Sequence, residues 1–150
     1  MKVLKHSMIN AVFVGLMSFI YSFLFIFTSN HIEFFRLNSK CKTIQSAFWN
    51  GWSDFIIRGN MKFIGYVIIS LTLIILLIIF LKRRKEYDEY QISILTRSLI
   101  VAGVLSIIMI PIIIIQLLSD PNYTIETIFF FAVVQWFGVL ITDLIFVIKY

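Results

Sequence analysis

The chain reads as an all-α integral membrane protein: four transmembrane helices in a bundle, with an interfacial amphipathic helix between the first and the second. Three observations predict this. Hydrophobic residues make up 60% of the 150 residues and charged residues 14%, against about 45–50% and about 25% in soluble domains; mean hydropathy is +0.96. Four stretches of nearly uncharged residues are each close to the roughly 20 residues that cross about 30 Å of hydrocarbon. Runs such as IILLIIFL in the second stretch do not alternate as outer-membrane strands do, and backbone in lipid must satisfy its own hydrogen bonds, so each stretch is a helix. This balance excludes a soluble globular domain, a disordered chain and a disulfide scaffold, and the size is that of a single domain, residues 1–150.

The first span covers residues 8–28. Lys2 and Lys5 precede it, as in a signal peptide. Its apolar core is longer than the 7–15 residues of a signal h-region, and no small-x-small site follows, so an uncleaved signal anchor is expected. The segment 43–58 comes next. Ile44, Phe48, Trp52, Phe55 and Ile56 fall on one helical stripe, and Trp49 and Trp52 are of the type that anchors at lipid headgroups. An interfacial helix is expected here, weakened by Gly51, which costs about 1 kcal/mol relative to Ala. The second span is 63–81, the third 98–118 and the fourth 127–148. Between the last two, Ser119-Asp120-Pro121-Asn122 is a tight turn, which makes them an antiparallel hairpin. Pro111 interrupts the hydrogen bonding of the third span and is expected to kink it.

Orientation follows from the short loops. Lys82, Arg83, Arg84, Lys85 and Arg97 lie between the second and third spans, and no Lys or Arg lies between the third and fourth. The positive-inside rule places the first loop and both termini in the cytoplasm. The whole count is less lopsided: eight basic residues inside, and five in the long outer loop, Arg36, Lys40, Lys42, Arg58 and Lys62. The net charge of +5 is thus read as orientation against anionic lipid rather than as a nucleic-acid surface. Cys41 is the single cysteine and forms no intramolecular disulfide.

Lipid tails are as apolar as leucine, so helices associate where small residues let them approach. Ala11, Gly15, Ser18 and Ser22 form a four-member seam on the first span. Ser98, Ala102 and Ser106 line up on the third, and Gln135, Gly138 and Thr142 on the fourth. The second span has Gly65 and Thr72 but is otherwise Ile and Leu all round. The expected core is therefore spans one, three and four, with span two the most exposed to lipid.

Asp143 is the one ionisable side chain well inside a span. Intramembrane carboxylates mark functional sites by default. Fifteen Ile, Leu, Val or Phe residues carry its helix, at roughly −0.3 to −0.6 kcal/mol each, against roughly +3 kcal/mol for a central Asp. Arg97, at the start of the neighbouring span, is its candidate ion-pair partner; a protonated carboxyl is the other structural reading, and a transport site the functional one. His6 and His31 flank opposite ends of one span and cannot share a metal. Patterns for a zinc hydrolase, a nucleophile elbow or a phosphate-binding loop are missing from the sequence, so neither a cofactor nor an enzymatic activity is expected. Lys82, Arg83, Arg84, Lys85, Tyr87 and Tyr90 make a basic and aromatic cytoplasmic segment, a candidate docking surface. The functional expectation is a non-enzymatic accessory, sensing or protective (immunity-type) subunit. Its partners are the lipid bilayer and a protein or a second copy of itself. The alternative is a homo-oligomeric channel or small transporter subunit.

Overall fold

A computed structural model describes residues 5–29, 46–82, 86–119 and 123–150, with side chains only as far as 115 in the third stretch. Five helices follow in order: α1 Ser7–Thr28, α2 Ala47–Ile57, α3 Met61–Leu81, α4 Glu89–Ser119 and α5 Thr124–Lys149. All but α2 are long and apolar enough to cross a membrane. The described residues hold no strand; one isolated bridge joins His6 to Glu86.

Local chemistry sets two of the boundaries. α2 ends on Gly59 at φ 71°, the left-handed conformation that glycine adopts without penalty. The Gly59 N–H donates to Ile56 O and the Asn60 N–H to Phe55 O, the paired bonds of a Schellman motif. The chain then turns directly into α3. α4 starts nine residues before the apolar stretch that predicts it. Its cap is Asp88: the Gln91 side chain accepts the Asp88 backbone N–H at 2.9 Å, one half of a capping box. Glu89 in the first turn suits the positive helix end. At 31 residues α4 is about 46 Å long, more than a hydrocarbon core needs, and its first turns are polar. Pro111 lies within this continuous helix.

Packing order departs from the expectation. α1 packs chiefly on α3, α3 also on α5, and α5 on α4; α1 and α5 meet at only a few points. Span two is thus the main neighbour of span one rather than the most lipid-exposed helix. The reason is Gly65. A Cβ there would lie 2.8 Å from Ile26 Cγ1 and 3.1 Å from the Ser22 carbonyl oxygen, so α3 presents bare backbone to the α1 seam. Ala11, Ser18 and Ser22 of that seam are buried, and Gly15 is half-buried, facing Leu76. α4 is the outlying helix. α1, α3 and α5 each bury 28% of their most apolar stretch, α4 none of it.

Candidate functional site

The chemistry-bearing side chains gather where α1 begins and α5 ends. Asp143 sits six residues before Lys149, about 9 Å along the helix, and Asn10 three residues after Ser7, about 4–5 Å. Antiparallel packing brings them level. The Asn10 amide donates to Asp143 Oδ1 at 3.0 Å, and both residues are buried. Asp143 Oδ2 is also buried and has no hydrogen-bond partner. A buried polar atom left unpaired costs about 1–3 kcal/mol; an unpaired buried charge costs several kcal/mol.

Arg97 is not the partner of Asp143. It lies exposed on α4, and the Asp143 oxygen not taken by Asn10 has no hydrogen-bond partner. Ser98, Ala102 and Ser106 of α4 meet α5 instead, and the buried Asp143 takes its hydrogen bond from α1. Asn10 was legible only as one more polar residue, although it stands next to Ala11 on the buried edge of the seam.

Two further polar contacts lie deeper. Trp136 Nε1 donates to Ser18 Oγ at 3.1 Å, and its ring stacks on Tyr21 with centroids 4.8 Å apart. This puts the seam serine to use as an acceptor between α1 and α5. Gln135 Nε2 donates to Ser106 Oγ between α5 and α4. Around that bond the predicted stripes meet: Ser98, Ala102, Gln135, Gly138 and Thr142 line one cleft of about 90 Å³. A second, more apolar groove of about 170 Å³ runs between α1 and α3, past Gly15, Ser18 and Thr72.

Near Asp143 the chain is stapled. The Tyr87 N–H donates to Lys5 O at 2.6 Å, and the Tyr87 ring meets Phe146 edge-on at 5.4 Å. Lys82 Nζ donates to Ile148 O at 3.0 Å. Tyr87 is therefore buried and gives a partner no handle, which corrects its place in the docking segment. Its ring is drawn in because Phe146 and the α1 entry offer it an apolar seat. Tyr90 is exposed, beside Tyr150, and Lys82 is exposed too. Arg83, Arg84 and Lys85 lie outside the described residues, as do His31 and Cys41.

At the opposite end α2 docks on α5 through aromatic rings. Phe130 takes edge contacts from Phe48, Trp49 and Trp52 at 5.5–6.2 Å. Trp52 Nε1 donates to Glu126 O at 2.9 Å, and Tyr123 Oη to Asn50 Oδ1 at 2.7 Å. Of the predicted stripe, Ile56 is buried and Trp52 and Phe55 are half-buried, whereas Phe48 is exposed; Ile44 lies outside the described residues. Among the described residues no group of three His, Cys, Asp or Glu is placed to hold a metal. Comparison with protein-family models, curated proteins and solved structures finds no match to this chain.

Proposed function

We propose that this chain is a multi-pass protein of the cell membrane, its four long helices crossing the bilayer as a bundle and both termini in the cytoplasm. α2 lies in the outer interface, with Trp49 and Trp52 at headgroup depth. The protein works without catalysis, as an accessory, sensing or protective (immunity-type) subunit. It engages a membrane-embedded protein partner through α4.

One observation carries this reading: α4 touches the rest of the chain along a single stripe, and from Thr96 to Ile115 none of its residues is buried. Gly103 on α4 and Gly138 on α5 are exposed, with nothing near their missing Cβ atoms. Open glycines allow the close approach on which helix pairing in lipid depends.

The test compares capture of membrane partners in mild detergent by the wild type and by Ile100→Ala/Val104→Ala/Ile107→Ala on α4. Val12→Ala/Leu16→Ala/Phe19→Ala on α1 is the control. The reading expects one stoichiometric partner by native mass spectrometry, lost with the α4 variant and kept with the control. Equal capture by both variants refutes it. Multiple copies of the chain with no other protein would point instead to a homo-oligomeric channel or small transporter subunit.

A further inference from the structure

We propose that Asp143 is a proton-binding site: its carboxyl is held as a neutral acid between α1 and α5, and the proton is part of what keeps those helices together. The geometry is specific. Asp143 is 4% exposed. One oxygen takes the Asn10 amide, a neutral donor, and the other is enclosed with no partner.

At this end Lys5 and His6 precede α1, Lys82 follows α3, Glu86, Tyr87 and Asp88 lead into α4, Glu89, Tyr90 and Arg97 lie on it, and Lys149 and Tyr150 close α5. Among the described residues none of them pairs with Asp143. The Lys82 ammonium is turned to Ile148 O, Arg97 and Lys149 are exposed, and Tyr87 is one helical turn away, at Phe146. Among the described residues an ionised Asp143 would be a buried charge with one neutral donor and no cation. A protonated Asp143 leaves a single neutral hydroxyl unpaired. Apolar surroundings penalise the first far more than the second.

The proton is thereby linked to packing. When α1 moves away, Asp143 is close enough to the end of α5 to reach water and ionise. The packed state then holds one more proton than the separated state. Packing is complete at low pH and weakens as pH rises, because stability falls with pH wherever the native state binds more protons.

The experiment uses the full chain in dodecyl maltoside, whose molecules carry no carbonyl. Asp54→Asn/Asp88→Asn/Asp120→Asn leaves Asp143 as the one aspartate. Growth on side-chain ¹³C-aspartate then marks a single carboxyl for infrared spectroscopy. The proposal expects the isotope-shifted carbonyl band of a carboxylic acid at pH 7. It also expects the band to vanish at alkaline pH, together with a fall in Tm that Asp143→Asn does not show. A labelled carboxylate band at pH 7 in place of the acid band overturns the proposal. So does an alkaline loss of Tm that is equal in the wild type and Asp143→Asn.

Discussion

Replacing Gly65 with alanine puts a methyl group where α1 and α3 come closest. The new Cβ would stand 2.8 Å from Ile26 Cγ1, 3.2 Å from Ile26 Cδ1 and 3.1 Å from the Ser22 carbonyl oxygen. Unstrained carbon contacts are about 3.5–4.0 Å. The Ile26 side chain can turn aside, but the Ser22 carbonyl belongs to the helix backbone, so α1 itself must shift by several tenths of an ångström. Overpacking of this kind costs about 1–3 kcal/mol, and the better helix propensity of alanine returns about 1 kcal/mol. The net expectation is a loss of about 1 kcal/mol. Gly138→Ala is the control: it meets nothing within 4 Å, so only the propensity gain of up to about 1 kcal/mol applies. The two variants should differ by about 2 kcal/mol, roughly 30-fold in the unfolding equilibrium. Titration with a denaturing detergent, followed by circular dichroism, reads this directly. Gly65→Ala at least as stable as Gly138→Ala would refute the close α1–α3 contact.

Three other outcomes are expected. A double-mutant cycle of Trp136→Phe with Ser18→Ala should show a coupling of about 0.6 kcal/mol, the usual value for hydrogen bonds between membrane helices; zero coupling would mean that the indole does not reach α1. In cycles with Asp143→Asn, Asn10→Ala should couple, while Arg97→Gln should add to within about 0.5 kcal/mol; coupling to Arg97 would restore the ion pair. Reporters fused after Tyr150 and inserted within residues 119–122 should report cytoplasm and exterior respectively, and the reverse result would invert the assigned orientation.

The helices themselves were legible because hydropathy and backbone satisfaction act locally. Spans 8–28, 63–81 and 127–148 lie inside α1, α3 and α5 with ends within three residues. The start of α4 was not, since the sequence criterion stops at Arg97 while the helix runs back to an Asp88–Gln91 cap that satisfies its first turn. The segment 43–58 contains α2, Ala47–Ile57. Neighbour order was harder. Small-residue stripes stand out in a sequence and a lone glycine does not, yet Gly65 is where α3 comes closest to the α1 seam. The stripes of α4 and α5 do meet, at the cleft between Ser98 and Thr142. Asp143 stood out by charge, but its partner depends on which face of each helix is turned inward. That is set by packing and not by distance along the chain.

The most direct test of the account is a photo-crosslinker placed at three positions in living cells: Ile107, 68% exposed on α4; Ala102, on the α4 stripe facing α5; and Leu77, 57% exposed on α3. The account predicts a discrete crosslinked partner from Ile107, an intramolecular link with no added protein mass from Ala102, and only lipid adducts from Leu77. The same partner captured from Leu77 as from Ile107, or none from Ile107, would contradict the claim that α4 is the face through which this protein acts.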